Sequence, residues 1–180
     1  MRRIFLVGYM GAGKSTLGRT LAHDLGLAFV DLDHYIENRY HTKISSLFAE
    51  RGEAAFRQLE SNILKEIGSF EDTLISTGGG TPLHFDNMDF MLDQGLVVYL
   101  KVSNERLTQR LIKAKDNRPL IAHKNDEEIA HFVEETMLVR DPQYARAHLT
   151  FDSDRFDSRH HLCHAQQQLL ETVRAILETN

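Results

Sequence analysis

Apolar runs rich in β-branched and aromatic residues recur along the chain at Arg3–Val7, Ala28–Leu32, Thr73–Ser76, Leu96–Leu100 and His148–Phe151. Runs of that length and composition predict short, mostly buried strands. Between them the apolar positions switch to a helical period. Leu17, Leu21 and Leu25 recur at spacing four and stop at Gly26, and Phe56, Leu59, Ile63 and Ile67 share a second face that ends before Gly68. Strands that alternate with helices need long crossover connections, so the pattern predicts a parallel sheet covered on both faces, a three-layer α/β/α domain. The stretch 113–124 (KAKDNRPLIAHK) is polar, contains Pro119 and separates two helical segments, the second starting near Asn125 or Asp126. It predicts a mobile loop within the domain. No internal repeat or low-complexity tract interrupts the pattern.

At 180 residues the chain fits one domain with a full hydrophobic core, and residues 1–180 are read as a single unit with a single active site. Its 42% hydrophobic and 26% charged residues are those of an ordinary folded domain. A net charge of −5 argues against a nucleic-acid partner, which calls for clustered basic residues. The one cysteine, Cys163, has no partner for a disulfide, consistent with a reducing compartment. Arg2 and Arg3 precede an apolar run that stops at Gly8, too short for a secretory leader, and no stretch approaches the roughly 20 apolar residues of a membrane span. The expectation is a cytoplasmic protein without a membrane partner.

The sharpest chemical signal is Gly8-Tyr9-Met10-Gly11-Ala12-Gly13-Lys14-Ser15-Thr16, which fits G-x-x-x-x-G-K-[ST] between a predicted strand and a predicted helix. Gly11, Ala12 and Gly13 let the backbone curl so that its N–H groups and the helix N-terminus face phosphate, with Thr16 in the first turn. Lys14 would reach the β and γ phosphates of ATP, and the Ser15 hydroxyl would bind Mg²⁺. A chance glycine turn matches this pattern in roughly one chain in a hundred. The guanine-reading N-K-x-D is absent, since Lys124-Asn125-Asp126 has the wrong order.

Other residues fit an acceptor site, each beside a plainer alternative. Asp31 and Asp33 follow a strand at spacing two, which places both carboxylates on one side near its carboxyl end, where ligands of open parallel sheets gather. One could join a Mg²⁺ shell and the other an acceptor hydroxyl; alternatively they cap a helix starting near His34. Gly78, Gly79 and Gly80 end the strand Leu74–Thr77, suited to close approach of a ligand or to a flexible turn. Arg140 shares the inward face of Ile129, Phe132, Val133, Thr136 and Met137, so it needs an internal acid or a substrate carboxylate. Pro142 disfavours helix at Asp141 and predicts that Arg140 closes the helix. Arg57 stands four residues from Glu53 and three from Glu60, the spacing of a surface ion-pair network. Arg118, beside Pro119 in the polar loop, either folds over bound nucleotide or stays an exposed loop arginine. The ten histidines show no metal-ligand spacing.

Taken in order, GYMGAGKST, DLD, FRQLE, STGGG, RPL and RDPQY resemble shikimate kinases over nearly the whole chain. The resemblance implies a nucleoside-monophosphate-kinase-like fold with a five-stranded parallel sheet in the order 2-3-1-4-5, a lid over about 112–125 and an acceptor-binding region over about 33–61. It implies ATP-dependent phosphorylation of shikimate on the route to chorismate and aromatic amino acids, by a monomer that uses Mg²⁺. Asp33, Arg57, Gly78, Gly79, Gly80 and Arg140 resemble the shikimate-binding set, with the arginines on the carboxylate and Asp33 on ring hydroxyls. Ser15 and Asp31 resemble the Mg²⁺ shell, Arg118 the lid arginine on ATP phosphates, Glu60 the acid that orients the substrate arginine, and Arg155 the late adenine-side contact. The other readings open at this point are a kinase for gluconate or a nucleoside monophosphate, which shares P-loop and lid, and an ATP-binding module without turnover.

Overall fold

The computed structural model of the chain describes residues 2–115, 120–154 and 159–179. Its strands are β1 (Arg3–Val7), β2 (Ala28–Asp31), β3 (Thr73–Ser76), β4 (Leu96–Lys101) and β5 (Leu149–Asp152). They form one sheet in the order β2-β3-β1-β4-β5, with every neighbouring pair parallel. The helices are α1 (Lys14–Leu25), α2 (Leu32–Tyr40), α3 (Ile44–Ile67), α4 (Asn87–Gln94), α5 (Asn104–Lys113), α6 (Asp126–Tyr144) and α7 (Arg159–Thr179), with a 3-10 turn at Thr81–Leu83.

The strand runs read as continuous hydrophobic segments because the sheet is covered on both faces. Ile4, Phe5, Leu6 and Val7 of β1, Leu74 and Ile75 of β3, and Val97, Val98 and Leu100 of β4 are inaccessible to solvent. In the central pair, Leu6 stands opposite Ser76. Thr77, just beyond β3, then ties both its amide and its hydroxyl to the Leu6 carbonyl, at 3.1 and 3.0 Å. The loops that leave β1 and β3 therefore start side by side.

Two local expectations are corrected, and one break is new. Strand β2 ends at Asp31, one residue early, and Asp33 belongs to the first turn of α2. Asp31 is the N-cap of that helix, its Oδ1 accepting from the His34 amide at 3.3 Å, and a cap ends the strand because it starts a helix. Helix α6 does not close at Arg140 but runs through Pro142 to Tyr144, its last turn held by the Ala145 amide on the Asp141 carbonyl at 2.8 Å. Burial of Tyr144 against Tyr99 outweighs the donor that Pro142 removes. Helix α3 is broken at Gly52, whose backbone is non-helical, a break that the periodic face beginning at Phe56 does not reveal.

The start of α6 is set locally. The Asn125 side chain accepts from the Glu128 amide at 2.9 Å, and the Glu128 carboxylate accepts from the Asn125 amide at 2.6 Å, a reciprocal capping box. Asn125→Ala is expected to lower unfolding free energy by about 1 kcal/mol, read as a reduced urea midpoint at unchanged slope. An unchanged midpoint would show that tertiary packing alone fixes this helix end.

Candidate active site

The loop between β1 and α1 adopts a conformation that side chains resist. Gly8, Gly11 and Gly13 have φ of 141°, 82° and 95°, and a Cβ on Gly8 would lie 2.8 Å from the Leu100 carbonyl oxygen. Gly13 is the N-cap of α1, and no side chain caps that end, so the first-turn N–H groups face the loop's concavity. Ala12 is buried, its amide donating to the Tyr9 carbonyl at 3.1 Å, and closes the curl from beneath. Lys14 is 8% exposed and its ammonium donates to the Gly8 and Tyr9 carbonyls at 2.7 and 2.9 Å.

A cleft of about 340 Å³ opens at this loop and is lined by Gly11, Gly13, Lys14, Ser15, Thr16, Asp31, Asp33, Gly78 and Gly79, together with Met10, Ser76 and Thr77. The Ser15 hydroxyl donates to Asp31 Oδ2 at 2.6 Å, which places two oxygen donors suited to Mg²⁺ against each other. Asp31 therefore does both things open to it, capping α2 with one oxygen and meeting Ser15 with the other.

The acceptor half forms around a buried acid. Glu60 is 1% exposed; it accepts from Arg57 Nη1 at 2.9 Å and from the Thr81 hydroxyl at 2.6 Å. The Arg57 guanidinium lies 5.4 Å from the ring centroids of both Phe48 and Phe56, which pack on each other at 4.3 Å. Its Nε is buried and has no hydrogen-bond partner among the described residues. Gly78 and Gly80 stand where this crowding leaves little room for a side chain. A Cβ on Gly78 would meet Asp33 Oδ1, Glu60 Oε1 and Thr81 Oγ1, each at 3.0 Å, and one on Gly80 would lie 2.7 Å from Arg57. One on Gly79 would lie 3.5 Å from Arg140 Nη1. Asp33, Arg57 and Arg140, from three distant segments, thus converge on one glycine loop beside the phosphate-binding loop.

Asp33 reaches solvent through the cleft mouth, but protein crowds its carboxylate and displaces most of its water. That desolvation, with the Glu60 and Asp31 charges adding to it, outweighs Lys14 and Arg57 and pushes Asp33 up to about 6. Burial likewise pushes the Tyr144 hydroxyl up to about 12. The His84 imidazole is driven down, first by burial and then by Arg57.

The shikimate kinase family profile matches residues 10–176. The chain belongs to the shikimate kinase family. The shikimate kinase of Parabacteroides distasonis is 54% identical over 155 residues, covering 86% of this chain and 90% of that one. Among solved structures, shikimate kinase from Bacteroides thetaiotaomicron superposes with a TM-score of 0.89 at 43% identity, covering 96% of this chain and 98% of that one. The enzyme from Acinetobacter baumannii, solved in complex with shikimate, gives 0.81 at 36% identity, covering 97% and 94%.

Within this shikimate kinase fold, Arg118 and Arg155 lie outside the described residues. Several contacts around the site are not legible in the sequence, although Tyr9 and Tyr144 stand within GYMGAGKST and RDPQY. Arg110 of α5 donates to the Gly11 carbonyl at 3.1 Å and to the Ser153 and Asp154 carbonyls at 3.0 and 3.2 Å, clamping the phosphate loop to the segment after β5. Tyr9 lies beneath Arg140, 5.4 Å from ring centroid to guanidinium carbon. Tyr144 donates to the Gly79 carbonyl across 65 residues. Only the fold brings these partners together, and a position far away in sequence gives no periodic signal.

The ligand-free Asp33 carboxylate is expected to titrate near 6, followed by its ¹³Cγ shift, and Glu60→Gln is expected to move the midpoint down by removing a neighbouring negative charge. The sign for stability follows. Because the folded pKa exceeds the ordinary 3.8, this group's contribution is full below 3.8 and is lost as pH rises through about 6. A midpoint near 3.8 would show that the cleft does not desolvate Asp33.

Proposed function

We propose that the chain transfers the γ-phosphoryl group of ATP to a ring hydroxyl of shikimate, giving 3-phosphoshikimate for the route to chorismate. The observation that carries this reading is the convergence of Asp33, Arg57 and Arg140 on Gly78–Gly80, beside the phosphate loop. Two guanidinium groups suit a carboxylate, and an acid lining the cleft suits hydroxyls. The unpartnered, buried Nε of Arg57 supports a ligand there, since a buried donor left unpaired is costly.

In this reading the first-turn amides of α1, with Gly11, Ala12, Gly13 and Thr16, receive the phosphates, and Lys14 exchanges its carbonyl contacts for phosphate oxygens. Ser15 and Asp31 would hold Mg²⁺ together with phosphate, since no group of three or more His, Cys, Asp or Glu among the described residues could hold a metal. Mg²⁺ supplies neutralisation of phosphate charge. Arg57, fixed by Glu60 and flanked by Phe48 and Phe56, and Arg140, over Tyr9, take the carboxylate. Asp33 orients the acceptor hydroxyl and takes its proton as the new O–P bond forms and the bond to the β-phosphate oxygen breaks, releasing ADP. A carboxylate near 6 is ionised at neutral pH yet basic enough for that proton. Residues about 112–125 form the lid, with Arg118 on the ATP phosphates and Arg155 on the adenine side. The protein acts as a cytoplasmic monomer; no helix among the described residues is long and apolar enough to cross a membrane.

A nucleoside monophosphate would bring phosphate charge against Asp33, and gluconate lacks the ring that would set carboxylate and hydroxyl at a fixed separation. A coupled ADP-release assay with shikimate, gluconate and nucleoside monophosphates is expected to show turnover with shikimate. Lys14→Ala is expected to leave less than about a tenth of the rate in a folded protein, because its ammonium meets transferring phosphate charge. Arg140→Ala is expected to raise the KM for shikimate roughly ten- to a hundredfold with a smaller effect on ATP, the worth of a charge-assisted contact. Absence of shikimate turnover would remove the substrate assignment and leave a P-loop phosphotransferase.

A further inference from the structure

Tyr144 is the last residue of α6 and is inaccessible to solvent. It lies one helical turn beyond Arg140, so the two side chains share a face. Its hydroxyl donates to the carbonyl of Gly79, the residue that lies beside Arg140 Nη1 and the Met10 amide. Its ring packs on Tyr99 at 5.2 Å between centroids. Packing alone would be served by phenylalanine, so the hydroxyl is the informative atom. In a trans peptide the C=O and N–H point in opposite directions, so a held Gly79 carbonyl also fixes the direction of the Gly80 N–H. Burial keeps this phenol protonated, with a pKa near 12, and therefore a donor.

We propose that Tyr144 is a positioning residue for the acceptor carboxylate: its hydroxyl locks the Gly79–Gly80 peptide while its side chain seats the Arg140 guanidinium against the Tyr9 ring. This inference rests on the reading of Arg140 and the glycine loop as the acceptor site. It gives the passage of α6 through Pro142 a purpose, because a helix ending at Arg140 would not carry Tyr144 to Gly79. Tyr99 provides the control. Its hydroxyl belongs to the same aromatic pair but donates to Asp141 at 2.6 Å and does not touch Gly79.

The test measures KM for shikimate and for ATP, kcat and thermal unfolding in Tyr144→Phe, Tyr99→Phe and Arg140→Ala. Tyr144→Phe is expected to raise the shikimate KM roughly three- to tenfold, the effect of one neutral hydrogen bond, with the ATP KM within about twofold. Tyr99→Phe is expected to lower the unfolding temperature by about as much as Tyr144→Phe does and leave both KM values within about twofold. The proposal is overturned if Tyr144→Phe leaves the shikimate KM within twofold of the parent while Arg140→Ala raises it; the acceptor-site reading then stands alone. It is also overturned if Tyr99→Phe raises the shikimate KM equally, or if Tyr144→Phe unfolds at assay temperature while Tyr99→Phe does not, since the hydroxyl would then serve the core. If Arg140→Ala itself leaves the shikimate KM unchanged, the acceptor-site reading falls, and Tyr144 loses the role given it here.

Discussion

The acceptor half of the site depends on one buried carboxylate. Glu60 is almost wholly withdrawn from water, and a charge in that position persists only if its oxygens are occupied. One oxygen holds Arg57 and the other holds Thr81, so a residue of α3 is tied at once to its own helix and to the turn after the glycine loop. The same charge bears on Asp33, where it helps raise the proton affinity of a carboxylate that lines the cleft beside the phosphate loop. Removal of Glu60 would release an arginine whose other neighbours are aromatic rings and Glu53. Shape and proton affinity at the acceptor side thus share one origin.

The sheet supplies the second constraint. Because β1 and β3 are adjacent and in register, the loop that receives phosphate and the loop that receives the acceptor leave the same edge a few ångströms apart, tied together through Thr77. Arg110 anchors the phosphate loop from the other side by binding its Gly11 carbonyl and the segment after β5. The reacting groups are therefore carried by rigid elements, and their separation is set by the strand spacing of a parallel sheet.

How much was legible in the sequence depended on how local the cause is. The phosphate loop, Gly78 and Gly80 were legible because their backbone or their neighbours leave little room for a Cβ, and glycine is the residue that answers that demand. The inward face of α6 was legible from spacing, yet its end was misplaced: a proline predicts a stop, and only the burial of Tyr144 explains why the helix continues. The Arg57–Glu60 pair was visible as spacing, but its depth was not, since burial is a property of everything packed around it. The partners of Thr81, Tyr9, Tyr144 and Arg110 left no trace in periodicity because they are remote in the chain.

The break at Gly52 has a further consequence. In an unbroken helix Phe48 and Phe56 would be about 12 Å apart along the axis, whereas here their rings pack together and flank Arg57. The segment before the break is thus folded back as a wall of the acceptor side, joined to the rest of α3 by one flexible residue and carrying none of the phosphate-binding groups. In terms of evolution and engineering, this makes the wall an exchangeable module. Replacing residues 44–52 would reshape what the arginine pocket admits without touching the residues that line the phosphate cleft.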